Sequence, residues 1–516
     1  MNIKEAKQEI KHTLQAYLKK DEFGSYVIPQ VRQRPILLIG APGIGKTAIM
    51  EQIAQEEGLA LLSYTMTHHT RQSAVGLPFI VTKEYDGKSR SVTEYTMSEI
   101  VAAVYDKIEE TGISEGILFL DEINCVSETL APAMLQLLQA KTFGNQRLPD
   151  GFLLVAAGNP PEYNKSVREF DVVTLDRVRY ISVETEFSVW KEYAYASGVA
   201  PVILTYLELK KENFYRMEGL LGEKQFVTAR GWQDLSELLI CYEKLSVPIT
   251  EELIHQYVQH DETARDFFLY YELYERYRSL CRIKEVLDGI VPEGLSERLR
   301  HCAFDEKLSV LGLLLEGLNE HFLLAEEAWK VQSALPPLLK GVLAVCETVS
   351  EGGESRSERE RFSDAAANIL AEYREGIRKK KSAGLLSEGE EQFGKKTARR
   401  MEELCRIAMT RAAQGADSVA ENLRKAFAQQ EDAREELAEK TNEKLDRAFA
   451  FLEKTWGKGQ ELVVFLTELS MNPHSSAFLL EYGNKTYAAY NKELLLQTPD
   501  AELAQEIRQA KSMKFL

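Results

Sequence analysis

Short apolar runs punctuate the first part of the chain: Ile36 to Ile39, Leu59 to Tyr64, Ile117 to Leu120, Phe152 to Ala157 and Tyr180 to Val183. Longer polar or amphipathic stretches separate them, and strands alternating with helices predict a parallel sheet, hence an α/β fold. Between the second and third runs lies Phe79 to Met97, where Asp86-Gly87 joins two alternating segments in the manner of a tight hairpin. Ser98 then stands as the cap of a helix with Ile100, Val101, Val104 and Ile108 on one face, ending at Gly112. From Ser188 to about Ser350 the pattern turns helical and rich in Leu and aromatic residues, with no further strand-like alternation of comparable quality. The segment Glu351 to Glu360, EGGESRSERE, has no apolar residue and reads as an exposed linker or long loop. Beyond it Met401, Leu404, Val419, Leu423, Phe427, Leu437, Leu445, Phe449 and Leu452 recur at broadly helical spacing, which predicts long amphipathic helices packed as a hairpin or bundle.

Composition narrows the classes. With 516 residues, 44% hydrophobic and 28% charged, the chain has enough apolar surface for several packed cores, and a wholly disordered chain is excluded. Its 63 basic against 80 acidic residues leave a net charge of −17, which repels phosphate backbones at long range, so nucleic acid is the runner-up partner and protein the first. The N-terminal stretch Met1 to Lys20 scatters charges where an export signal needs an apolar core. The longest apolar stretches, such as Val310 to Leu315, are interrupted by charge well short of the ~18 residues that argue for a membrane span. The six cysteines lie far apart with no CxxC pair, the usage of reduced thiols in the cytosol.

The chemistry concentrates in the α/β part. Gly40-Ala41-Pro42-Gly43-Ile44-Gly45-Lys46-Thr47 fits GxxxxGK[ST], follows an apolar strand and opens the helix Ala48 to Glu57. Glycines let the backbone turn its N–H groups inward at phosphates, and the helix N-terminus adds partial positive charge there. Lys46 is placed to reach the β- and γ-phosphates of ATP and Thr47 to put its hydroxyl on Mg²⁺. Some 75 residues on, the strand Gly116 to Leu120 ends in Asp121-Glu122, two adjacent acids at a buried strand tip. Asp121 suits the Mg²⁺ shell, and Glu122, directed the other way, suits orienting and deprotonating an attacking water. At the end of the strand Phe152 to Ala157 stands Asn159, whose amide can hold that water or sense the γ-phosphate. Two arginines follow, Arg177 just ahead of the last strand and Arg230 at the start of a helix, and a guanidinium from the same or a neighbouring subunit stabilises the charge of phosphoryl transfer.

In their order and intervals, GAPGIGKT, LFLDEINCVSETLAPAMLQLLQ, AAGNPPEYN, TLDRV and TARGW resemble the AAA+ ATPases, and within them the MoxR-type branch related to the magnesium chelatase motor subunit. The resemblance spans Pro35 to about Tyr242. It implies a five-stranded core with a helical lid, a ring that is usually hexameric, Asn159 as sensor 1, Arg177 as the finger acting on a neighbour's ATP, and Arg230 as the sensor 2 arginine. The hairpin at Phe79 to Met97 falls where this branch carries an insertion that often faces the substrate. MoxR-type relatives commonly work with a partner carrying a von Willebrand factor A domain, often to insert metal or activate an enzyme, so such a partner is implied. The usual phenylalanine after Asp-Arg is here Val178, with Arg179 close behind, so Arg177 is taken as the finger, Arg179 stands as the alternative, and Arg168 is a further candidate whose first reading is a structural salt bridge.

The expected organisation is therefore a lead-in at 1–34, a P-loop AAA+ core at 35–187, a helical lid and extension at 188–350, and an all-α C-terminal region at 351–516. The function expected is a cytoplasmic, Mg²⁺-dependent ATPase that remodels a partner protein. The alternatives are an ATP-gated binding module with negligible turnover and a nucleic-acid motor. His68-His69-Thr70-Arg71 is taken as a loop facing the ring's centre, Cys125 as a small packed residue, and Trp232 as core.

Overall fold

The three central strands of the sheet are covered on both faces, which removes the need for alternation, while the two edge strands are only partly covered, the last alternating buried and exposed residues. The computed structural model describes residues 1–143, 146–163, 167, 169–220, 223–347, 358–414 and 418–494. Arg168 and residues 351–357 of the expected linker lie outside the described residues, and the linker's last three residues, 358–360, are helical rather than loop. The chain divides into two units, the first comprising Met1–Val189, Thr228–Arg230 and Ala371–Lys395, the second Trp190–Val227, Gly231–Leu370 and Lys396–Leu516.

In the first unit α1 (Ile3–Tyr17) leads to β1 (Ile36–Gly40), α2 (Lys46–Glu57), β2 (Ala60–Thr65) and the short α3 (Arg71–Val75). A hairpin of β3 (Pro78–Tyr85) and β4 (Lys88–Tyr95) follows, then α4 (Glu99–Thr111), β5 (Gly116–Asp121) and α5 (Ala131–Ala140). The two-residue strands β6 (Thr142–Phe143) and β7 (Gln146–Arg147) precede β8 (Phe152–Gly158), the one-turn α6 (Val172–Leu175) and β9 (Arg179–Val183). The sheet runs β2-β5-β8-β1-β9 and is parallel throughout. Leu37, Leu118, Leu120, Leu154 and Ala156 face a core shared with α4 and α5, while Ile36, Leu38, Phe119 and Val155 face one shared with α1 and α2. Every active strand end therefore points to one edge of the unit, where loops are free to carry chemistry.

The expected hairpin is present, with Asp86 and Gly87 both at positive φ (52° and 71°), as a two-residue turn requires. Ser98 does precede α4, but it makes no side-chain cap; its buried Oγ has no hydrogen-bond partner among the described residues.

The second unit is helical: the rest of α7 (Phe187–Ala196), α8 (Pro201–Leu209), then α9 (Ala229–Leu245), α10 (Glu251–His255), α11 (Asp261–Cys281), α12 (Ile283–Leu287) and α13 (Leu295–Arg300). It continues with α14 (Phe304–Glu347), α15 (Glu358–Ser382) as far as Leu370, α16 (Glu388–Ala413) from Lys396 on, α17 (Val419–Trp456), α18 (Gln460–Met471), α19 (Pro473–Tyr482) and α20 (Lys485–Leu494), the end of α15 and the start of α16 belonging to the first unit. The sequence pattern misses one feature, an antiparallel hairpin of β10 (Arg216–Leu220) and β11 (Glu223–Val227) between α8 and α9. Strands of five residues contain too few alternations to register against the surrounding helical signal. Trp232 is fully buried among Tyr206 and Phe267, its indole N–H donating to the Asn213 carbonyl, so it is core as expected. The axis of the unit is α14, packed against α8, α11, α12, α17, α18 and α19. Over Phe304–Ala344 this helix is long and apolar enough to cross a membrane by length and composition, which corrects the shorter apolar stretches read from the sequence; 56% of its apolar window is buried in the fold.

Candidate functional site

The phosphate-loop motif turns at the end of β1. Gly40 ends the strand so close to β9 that a Cβ there would lie 2.6 Å from the Val183 carbonyl oxygen. Gly43 and Gly45 adopt positive φ (73° and 91°), which side chains rarely tolerate. Gly45 is the N-cap of α2 and supplies no side-chain cap, so the first N–H groups of a 12-residue helix point into the loop without a side-chain acceptor. A Cβ on Gly43 would touch Thr228 and Arg230 at 3.3 and 3.4 Å, which brings the Thr228–Arg230 segment against the loop.

Beneath the loop four sequence-predicted residues come together. Lys46 is buried, and its ammonium donates to the carbonyls of Gly40 and Ala41, each at 2.8 Å, and to Asn159 Oδ1 at 3.0 Å. Burial lowers its pKa to about 8; the Arg230 charge pushes the same way and Asp121 opposes. Thr47 Oγ1 donates to Asp121 Oδ2 at 2.8 Å, so the hydroxyl and carboxylate expected on Mg²⁺ are already adjacent. The other Asp121 oxygen accepts from the Glu122 N–H at 2.9 Å.

Glu122 takes a left-handed backbone (φ 55°, ψ 36°), an uncommon conformation for a residue with a side chain. That twist lets its carboxylate diverge from Asp121, and Oε2 accepts the Thr67 hydroxyl at 2.8 Å. Two residues on, Asn124 is buried and its Nδ2 donates to the Asn159 carbonyl at 2.8 Å. Thr67 and Asn124 were not singled out from the sequence. They lie 55 and 35 residues from their partners, and no spacing rule connects them.

The arginines separate. Arg230 is exposed and borders the loop through its Cβ and its charge on Lys46. Arg177 is exposed after α6, with its guanidinium on the Gln139 side chain. Arg179 donates to Thr13 Oγ1 and Glu9 Oε2, which ties it to α1 of its own fold. His69 packs its ring edge on Tyr64.

The donor set fits a nucleoside triphosphate with its metal. A helix N-terminus and an ammonium answer phosphate charge, and one hydroxyl with one carboxylate is the sparse oxygen set that suits Mg²⁺ arriving with phosphate oxygens. Residues 35–178 match the family model of the AAA domain, dynein-related subfamily. The match contains Gly40 to Thr47, Asp121, Glu122, Asn159 and Arg177, and stops short of Arg230. A comparison with curated proteins finds no match. With the five-stranded parallel sheet, the match supports reading residues 35–178 as an AAA domain, the nucleotide-binding domain of AAA+ ATPases, a family whose members typically assemble as rings.

Proposed function

We propose that the chain is a Mg²⁺-dependent ATPase of the MoxR type that assembles as a homo-oligomeric ring, a hexamer, in the cytoplasm and uses hydrolysis to remodel or activate a partner protein. The observation that carries the hydrolytic reading is the double contact under the loop: Thr47 on Asp121 at 2.8 Å beside Lys46 on Asn159 at 3.0 Å. Gly40 to Thr47 bind the phosphates through backbone N–H groups, and Lys46 exchanges an internal acceptor for a phosphate oxygen. When bound at Thr47 and Asp121, Mg²⁺ neutralises phosphate charge. Glu122 accepts the proton of the attacking water at its carboxylate, Asn159 orients that water or the terminal phosphate, and Arg230 faces the loop from Thr228–Arg230. Arg177, exposed on its own protomer, is lent to the neighbour's site. The partner is a protein, in keeping with the net charge of −17, and one with a von Willebrand factor A domain follows from the MoxR-type resemblance.

A second reading, an ATP-gated binding module with negligible turnover, draws on one observation: Glu122 is held by Thr67 and the Lys46 ammonium by three protein acceptors, a site at rest. Steady-state ATP hydrolysis against protein concentration separates the two. The enzyme reading expects specific activity to rise with assembly, and expects Glu122→Gln to keep nucleotide binding while turnover is lost. Full turnover in Glu122→Gln, or none at any wild-type concentration, overturns it.

A further inference from the structure

Strand β8 ends its ladder at Gly158, paired with Ile39, and the chain leaves through Asn159 into Pro160 and Pro161. The Asn159 carbonyl thus lies beyond the sheet's hydrogen bonding, followed by two residues with no N–H. The donor that answers it is the side chain of Asn124 at 2.8 Å, from the turn Ile123–Cys125 that directly follows Glu122.

This asparagine is placed for its donor. The residue is 5% exposed, and its Oδ1 is buried with no hydrogen-bond partner among the described residues. It lies flat on Gly158, where a Cβ would fall 2.4 Å from Oδ1 and 2.7 Å from Cγ. An unanswered buried carbonyl is unfavourable, and a leucine of similar size would fill the space without that cost. What a leucine cannot supply is the N–H to Asn159.

On its other side Asn159 presents Oδ1 to Lys46, whose neighbour Thr47 contacts Asp121. The ends of β5 and β8 and the start of α2 are therefore joined in a closed circuit: Lys46 to Asn159, Asn159 to Asn124, Asn124 through the chain to Asp121, and Asp121 back to Thr47. Asn124 is the side-chain link of this circuit between the asparagine that faces the phosphates and the loop that carries Glu122.

We propose that Asn124 is the positioning residue of the site: it holds the Asn159 backbone so that the side-chain amide faces the position of the third phosphate, and it couples Asn159 to Glu122. The inference rests on the ATP-binding reading above and deepens it. The loop N–H groups serve ADP and ATP alike, whereas Asn159 distinguishes them, so losing the Asn124 donor should blunt ATP recognition and spare ADP.

The test uses full-length protein carrying Glu122→Gln to suppress turnover, with ATP and ADP affinities measured by competition against a fluorescent nucleotide in Mg²⁺. Two further variants are compared with that parent: Asn124→Asp, of the same shape but with an acceptor facing the Asn159 carbonyl, and Asn124→Leu, of similar volume with neither polar atom. Both should keep ADP affinity within about twofold and lower the preference for ATP over ADP by about tenfold, the scale of one charge-assisted hydrogen bond. Thermal unfolding identifies any variant that does not fold, and the other then carries the test. An unchanged ATP preference in a folded variant overturns the inference, as does an equal fall in both affinities, which marks a merely structural residue. A parent that binds neither nucleotide overturns the ATP-binding reading and this inference with it.

Discussion

Lys46 offers the sharpest quantitative test, because its charge is held in a place that disfavours it. Burial brings its pKa from 10.5 to about 8, the nearby Arg230 adds to the fall and Asp121 resists it. The sign follows for two measurements. Between about pH 8 and 10.5 the unfolded chain keeps the lysine proton that the folded chain has released, so the free protein gains stability as pH rises through that window. Phosphate binding needs the ammonium, so nucleotide affinity moves the opposite way. With half of Lys46 neutral at about pH 8 and about nine-tenths neutral one unit higher, ATP affinity should fall roughly tenfold between about pH 7 and pH 9. Competition titrations in Glu122→Gln at constant ionic strength measure this. Lys46→Arg, whose guanidinium stays charged, should bind more weakly but with a flat profile. Lys141, also brought by burial to about 8 and bonded to the Gln30 carbonyl, is present in both proteins and cancels in the comparison. A flat profile in the protein that retains Lys46, or equal slopes with and without it, would refute the assignment.

Two further outcomes can be checked at separate places. Thr67→Val removes the hydroxyl that holds Glu122 Oε2 while nearly keeping volume. One neutral-to-charged hydrogen bond, ~1.5 kcal/mol, should raise the ATP turnover number about tenfold with nucleotide affinity unchanged, and a lower or equal turnover number counts against a restraining role. In the second unit Lys191, 2% exposed, lies 2.7 Å from Glu208 and 2.5 Å from Glu468, which also accepts the Tyr195 hydroxyl. Lys191→Met leaves the buried Glu468 without its cation, while Glu208 keeps Lys211 at 2.6 Å, and should cost ~3–5 kcal/mol in urea unfolding, partly regained on adding Glu468→Gln; a loss under ~1 kcal/mol would show the pair to be dispensable.

The legible parts of the chain are those where one local signal sufficed. The three central strands could be read because burial on both faces makes them continuous apolar runs, such as Phe152–Gly158, in which every residue is buried, and the edge strands β2 and β9 because short apolar runs survive their partial exposure. The Asp86-Gly87 turn and the phosphate loop are written in residue types that their backbone angles demand. Illegible parts depend on tertiary context. Ser98 has the residue type of a cap, yet its hydroxyl is buried without the bond. Thr67 and Asn124 are ordinary polar residues until the sheet order puts β2 beside β5 and β5 beside β8, which carries the turns that follow β2 and β5 to the ends of their neighbours. Their contacts are products of topology, which a pattern along one chain does not contain.

The two candidate finger arginines show the same limit. Arg177 and Arg179 stand two residues apart, and sequence alone gives both a mobile cation near the last strand. Arg179 opens β9, pairs in register with Ile36 of β1, and its guanidinium is committed to Glu9 and Thr13 of α1. To serve another protomer it would have to abandon a carboxylate and a hydroxyl in its own fold. Arg177 precedes the strand, contacts the neutral Gln139 and acts through solvent on the exposed Asp171, partners that cost little to release. If a second protomer's phosphates draw on either arginine, the lower cost falls to Arg177. Arg177→Ala should therefore abolish assembly-dependent turnover while nucleotide binding persists, and Arg179→Ala should instead loosen α1 and lower the thermal unfolding midpoint. The reverse pattern would transfer the role to Arg179.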